Sequence, residues 1–443
     1  MNPLPQFIQK KLLLWSLIVS LVFSIEPAFA KNEKLKDALR KALLEALAGN
    51  NANQQATPPT ADNAHQEVIN PNTVYEPQPD AQFSFEPYSS FGKEIYPSVI
   101  VATATIDKRL TPIDPTDATL YGDWKGAVTL RLHNVHKDDK YIIEVESDGL
   151  IESSKLSFTA KDSEVLVEAA PKLKFDFDVL ERNRQTRPVN ITFRVTRNGE
   201  TLNDVDQTWQ LREVNDCPYQ VLAKTSKRNG NIVEKFEDTR FMFAAYVNEN
   251  HPWVDQILKE AKNTGITSVF CGYNEGKANL NDVLLQVKAI WAALKNRKMT
   301  YSSITDTTPS AAGAGVQYVR FIDESIRSTQ ANCVDGSVLM ASILKKIGIK
   351  PLLVLVPGHC YLAFWTNDQN RGGQLCGLET TMLGTSSFED AINFANRNSD
   401  TSLAHILPKC AVENSGYLLV DIENARQLGI MPLPYIRSAR REK

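Results

Sequence analysis

Asn332-Cys333-Val334-Asp335-Gly336-Ser337 opens a stretch in which Val338, Leu339, Ile343 and Ile347 recur one, four and four residues apart. That spacing predicts an amphipathic helix over 334–346, stopped by Gly348. Cys333 then stands at the N-terminal edge of the helix, where unpaired backbone N–H groups and the helix dipole favour an anion. A thiolate is the reactive form of cysteine, and the same N–H groups can receive a developing oxyanion. On its own the residue reads more readily as a small apolar cap residue, cysteine being among the most buried residue types.

The sequence that follows supplies partners. Leu352 to Val356 is a continuous apolar run, consistent with a buried strand, and Pro357-Gly358 bends it. His359 opens a second strand running through Cys360 to Trp365. Asn367 to Gly373 is a polar turn, and Gln374 to Thr381 returns as a third strand. With the turn centred near Asn370, position 359 falls opposite 381. Glu379 then shares a face with His359, one diagonal step away, while Cys360 and Cys376 point to the other face. A histidine at a strand end is often a satisfied core residue. The ordered set Cys333, His359, Glu379 is nonetheless the raw material of a nucleophile, its base and the group that orients the base.

On the N-terminal side, Pro252 starts one helix with Ile257, Leu258 and Ala261 on a face. Asn281 is placed to cap another carrying Val283, Leu284, Val287, Ile290, Trp291 and Leu294. Ala311 to Gly315 is a small glycine-containing loop without the Lys-Ser/Thr that a phosphate-cradling loop requires. From 90 to 216 the pattern changes. Val128, Leu130, Leu132, then Tyr141, Ile143, Val145, then Val189, Ile191, Phe193, Val195 alternate with polar residues, separated by turn signals such as Asp148-Gly149 and Asn198-Gly199. This predicts an immunoglobulin-like β-sandwich of roughly seven strands. His133 and His136 lie near a strand end with no third ligand spaced to join them, so they read as surface residues rather than a metal pair.

Residues 50–89 are rich in Asn, Gln, Pro and Ala and are expected to form a disordered linker. Residues 31–49 read as an amphipathic helix, with Leu35, Leu39, Ala42, Leu43 and Leu47 on one stripe. Residues 1–30 read as a signal peptide. Lys10-Lys11 precedes the apolar run Leu12 to Ile25, and Ala28-Phe29-Ala30 is a small-x-small cleavage site. A membrane span needs roughly twenty apolar residues, so this run is too short to be one. The expected location is therefore outside the cytoplasm, periplasmic or cell-surface, with no integral membrane segment after cleavage. Net charge is −3 with both signs mixed along the chain, which excludes a basic nucleic-acid-binding stripe. The six cysteines show no Cys-x-x-Cys spacing, so neither a zinc site nor any other cofactor is indicated.

Cys333-Val334-Asp335-Gly336-Ser337, the apolar helix after it, Gly348-Ile349-Lys350-Pro351, His359 with Tyr361, Phe364 and Trp365, and Glu379-Thr380-Thr381 together resemble the transglutaminase-like superfamily, relatives of the papain-type cysteine enzymes. The family pattern is Cys-x-Asp-x-Ser/Ala at a helix start, a histidine opening an aromatic-rich strand, and Asp-x-Thr on the next. The resemblance implies Cys333 as nucleophile, His359 as base and Glu379 as orienter, within a transglutaminase-like α+β domain over 217–443. Glu379 departs from the family's aspartate by one methylene. For the side-chain donor that completes the family's oxyanion hole, Gln317 is the one candidate, against the reading of an ordinary loop glutamine.

The expected whole is an α+β multidomain protein, a β-sandwich followed by a cysteine-protease-type domain. Its chemistry would be acyl transfer through a thioester on a protein or peptide substrate: peptidase, amidase or cross-linking. The rival reading is a non-catalytic envelope scaffold or binding protein on the same fold, and a thiol redox protein is a weaker third.

Overall fold

A computed structural model describes residues 82–89, 91–106, 117–123, 128–202, 204–228, 231–276, 278–303, 310, 314–367, 374–397, 399–410, 412 and 415–435. The leader expected over 1–30 and the helix expected over 31–49 lie outside these residues. The chain is mixed α and β and divides into two compact units. One comprises the described part of Asp37–Met242 with Asp306–Tyr318, and the other Phe243–Thr305 with Val319–Tyr435.

The first unit is built mainly of strands: β1 (Ser84–Tyr88), β2 (Leu120–Gly122), β3 (Thr129–Val135), β4 (Lys140–Ser147), β5 (Ile151–Thr159), β6 (Glu164–Ala170), β7 (Arg187–Arg197), β8 (Val205–Leu211), β9 (Asp216–Arg228), β10 (Asn231–Asp238) and β11 (Gly315–Tyr318). One sheet runs β1-β3-β6-β2. A second has β8-β7-β4-β5 at its centre, flanked by the two-residue strands Glu94–Ile95 and Lys174–Phe175. Period-two alternation decides which faces meet. Leu130, Leu132 and Val167 from the first sheet and Ile143, Val145, Ile191, Phe193 and Trp209 from the second are buried in a single core. β1 lies within the 50–89 stretch that composition assigns to a linker. It pairs antiparallel with β3, and Phe83 and Phe85 supply the apolar side chains that hold it against the core. Two short helices, α1 (Pro97–Ala102) and α2 (Phe177–Arg182), interrupt the strands, and the alternating pattern gave no sign of either. A third sheet orders β10-β9-β11.

The second unit contains α3 (Pro252–Asn263), α4 (Leu280–Asn296), α5 (Ile322–Ser328), α6 (Cys333–Lys346), β12 (Pro351–Val356), β13 (His359–Trp365), β14 (Leu375–Leu378), α7 (Phe388–Asn396), α8 (Leu403–Cys410), β15 (Leu418–Asp421) and α9 (Ile422–Gln427). Its sheet runs β14-β13-β12-β15, antiparallel throughout. Every residue of β12 is buried, which is why the run is uniformly apolar. α6 packs on β13 and β12, with Val338, Leu339 and Ile343 among its buried residues, and Gly348 (φ +84°) sits just past its end in the left-handed region.

The cap of α4 falls two residues before the expected Asn281. Asn279 is the cap: its side chain accepts from the Asp282 N–H while Asp282 accepts from the Asn279 N–H. Only at 279 does a carboxylate fall three residues on.

Candidate active site

Cys333 is the first residue of α6, and the turn before it is held from both sides. Oδ1 of Asn332 accepts from the N–H groups of Val334 and Asp335, each at 2.9 Å. Asp335 answers by accepting from the Asn332 N–H at 3.0 Å. This reciprocal cap leaves the Cys333 N–H as a first-turn donor with no partner among the described residues. Asp335 is fully buried and also accepts from the Arg320 backbone N–H at 2.8 Å and from its guanidinium at 2.9 Å. Burial pushes the Asp335 carboxyl above its usual range, against the pull of these donors. Asp335 thus fixes the helix mouth, tying the Asn332 N–H to Arg320. Cys333 itself is half-buried.

His359 is delivered by the β12–β13 hairpin. Val356 pairs with His359 across Pro357-Gly358, with Gly358 at φ +73°. Proline followed by a residue of positive φ is the pattern of a type II turn. Nε2 of His359 lies 2.9 Å from Oε2 of Glu379. With Nε2 occupied by Glu379, Nδ1 is the ring nitrogen left to face Cys333, which is near enough to raise the imidazole's pKa. Burial alone would lower the pKa of His359. The hydrogen bonds to Cys333 and Glu379 and the charges of both outweigh it and raise the value to about 10. The ring therefore favours the imidazolium form at neutral pH.

Glu379 follows the end of β14 and is 2 % exposed. The ladder pairs Leu362 with Leu378 and Phe364 with Cys376, so the hairpin is centred at position 370 as its polar turn indicates. The strand is shorter than the expected 374–381. It stops at Leu378, and Glu379 caps a 3-10 turn over Thr380–Met382. Its Oε1 accepts from the Thr381 N–H at 3.1 Å and from Thr381 Oγ1 at 2.6 Å, which leaves Oε2 for His359.

Two further ties join the helix to this turn. Ser337 Oγ donates to the Cys333 carbonyl at 2.7 Å and lies 3.1 Å from Thr380 Oγ1. A Cβ on Gly336 would stand 3.2 Å from Thr380 Cβ and Oγ1, so a larger residue there would crowd the turn.

The structure thus brings Cys333, His359 and Glu379 together. Gln317 lies on β11 of the other unit, where its Nε2 donates to the Tyr318 carbonyl at 2.8 Å. Tyr301 is a neighbour that sequence reasoning passed over. It sits on the two-residue strand Thr300–Tyr301, paired with Gln330–Ala331 just before α6. It is 46 % exposed, and its hydroxyl pKa is raised by burial and by the charges of Cys333 and Glu379. The signal that could have found it is the parallel pairing that brings 301 beside 331, a contact invisible to periodicity.

The other thiols differ in setting. Cys217 is wholly buried, which drives its thiol well above the ordinary value, and burial pushes Cys376 up to about 11. Cys271 is exposed. Among the described residues no cluster of His, Cys, Asp and Glu could hold a metal ion, and no helix is long and apolar enough to cross a membrane. No protein-family model and no curated protein matches the chain.

Proposed function

We propose that this chain is an exported, transglutaminase-like cysteine enzyme that transfers acyl groups through a thioester on Cys333, acting as a peptidase or amidase on protein or peptide substrates at the cell envelope. The observation that carries the reading is the His359 ring held 2.9 Å from the buried Glu379 carboxylate, with Cys333 at the mouth of α6 near enough to raise the ring's pKa. A raised imidazole pKa keeps His359 protonated at neutral pH, ready to donate to a leaving group.

In this mechanism the Cys333 sulfur attacks the carbonyl carbon, forming a C–S bond and a tetrahedral oxyanion. The Cys333 N–H, unspent in the cap, is positioned to donate to that oxygen. His359 gives its proton to the departing amine as the C–N bond breaks, leaving a thioester. The neutral imidazole then takes a proton from water, whose attack releases the acid and the thiolate. Glu379 holds the ring in one orientation and balances its charge in both half-reactions. A lysine amine in place of water would give cross-linking. Hydrolysis is the favoured branch, because excluding water takes a walled-off acceptor channel and His359 is about a quarter exposed. The immunoglobulin-like reading of the β-rich unit, and export by the leader, belong to this same proposal. They rest on the alternating strands with their shared core and on the Lys10–Ala30 pattern.

The test is turnover of a p-nitrophenyl ester, with and without a primary amine, by wild type and Cys333→Ala. Wild type should release p-nitrophenol at least about tenfold faster than the variant, with free acid as the main product. Equal rates would favour the scaffold reading, and an amide product dominating when amine is present would favour cross-linking.

A further inference from the structure

Within the reading just given, the substitution of glutamate for the family's aspartate poses a physical problem: the longer side chain has one more torsion to fix, and a free carboxylate can offer either oxygen to the imidazole. The structure answers it at Thr381. One residue supplies two donors, its backbone N–H at 3.1 Å and its hydroxyl at 2.6 Å, and both go to the same oxygen, Oε1. Oε2 is then the oxygen 2.9 Å from His359 Nε2. The carboxylate is 2 % exposed, so no water competes for Oε1 at comparable cost. The turn that carries Thr381 is in turn tied to the nucleophile's own helix through Thr380 Oγ1, Ser337 Oγ and the Cys333 carbonyl.

We infer that Thr381 is a positioning residue: it immobilises one oxygen of Glu379, so that a glutamate can present the other to His359 as a fixed partner, and this makes the Glu379–Thr381 pair a unit that a shorter carboxylate would not reproduce. Thr381 touches neither the thiol nor the reacting carbonyl in this account. It acts through Glu379 and then through the imidazole. The backbone N–H alone would still cap the 3-10 turn, but it leaves the carboxylate free to rock about a single hydrogen bond.

Thr381→Val keeps the shape and removes the hydroxyl; Thr381→Ser keeps the hydroxyl. Two readouts separate this inference from the catalytic reading it rests on. The first is the His359 titration midpoint followed by NMR, which needs no turnover. The second is ester hydrolysis as a function of pH. Thr381→Val should lower the His359 midpoint, depress kcat about tenfold with KM nearly unchanged, and draw in the alkaline limb of the pH profile. Thr381→Ser should restore all three. In a Glu379→Gln background Thr381→Val should have little further effect, because the two act as one unit. Glu379→Asp should behave like Thr381→Val and not like wild type. The inference is overturned if Thr381→Val leaves the His359 midpoint at the wild-type value, or if its loss is as large in the Glu379→Gln background as in wild type. A wild-type protein that titrates as expected but fails to outpace Cys333→Ala would instead overturn the enzymatic reading and leave the clamp standing.

Discussion

The ionisation of His359 is the residue-scale event on which the rest depends. Burial opposes its charge, yet the hydrogen bonds and charges of Cys333 and Glu379 hold its pKa near 10, well above the ordinary value of 6.5. A group whose pKa is raised on folding favours the folded state while it is protonated in both states. That contribution is fully present below about pH 6.5 and fades as the pH rises through about 10. An NMR titration should therefore find a histidine that stays protonated through neutral pH. Glu379→Gln should move its midpoint down, since the carboxylate charge and its hydrogen bond both raise it. A midpoint near 6.5 in wild type would mean that the ring is not paired as described. Cys333 and His359 could each be named from the sequence because each stands at a legible element boundary, Cys333 after the Asn332 cap and His359 after the Pro357-Gly358 turn. Tyr301 could not, because nothing in its own neighbourhood of sequence points toward position 331.

At the scale of the element, the β12–β13–β14 hairpins and α6 carry the geometry. The pairing of Phe364 with Cys376 follows from centring a polar turn, and that arithmetic brought position 379 near 359. What the arithmetic missed is that the strand stops at Leu378. Glu379 leaves the ladder to cap a 3-10 turn, and a side chain's choice between pairing and capping depends on the tertiary donors around it. The α4 start shows the reverse case: the capping-box spacing to Asp282 was present in the sequence and distinguished Asn279 from Asn281. The mouth of α6 depends on Asp335, which is wholly buried and paired with Arg320. Arg320→Ala would strand most of that charge in the interior. It should cost about 3–5 kcal/mol of stability, read as a lowered midpoint in urea or thermal unfolding. Arg320→Lys should recover part of it, since it restores the charge but not the guanidinium geometry. A loss under about 1 kcal/mol for Arg320→Ala would show that the backbone donors alone satisfy Asp335.

For the molecule as a whole, the switch of periodicity from two to about 3.6 residues indicates a strand-rich part and a mixed α/β part, but the strand-rich unit runs past the expected boundary at 216 to Met242 and takes in Asp306–Tyr318, because β9, β10 and β11 pair with one another. Less legible were long-range electrostatics. Arg212, 1 % exposed, is bound to Asp216 at 2.8 Å and to Glu94 at 3.4 Å, the latter 118 residues away in sequence. No local pattern announces such a pair. All three proposed site residues belong to the mixed unit, so the reactive thiol must be distinguished within one chain from five others in other settings. Site-resolved alkylation does this directly. The native protein is treated with iodoacetamide at pH 7, and modification of each cysteine is followed by mass spectrometry in wild type and His359→Ala. The account predicts that half-buried Cys333 is labelled before exposed Cys271 and long before Cys217 or Cys376, and that His359→Ala slows Cys333 about tenfold or more while leaving Cys271 unchanged. Labelling that simply follows exposure, with Cys271 first and Cys333 indifferent to the loss of His359, would contradict it.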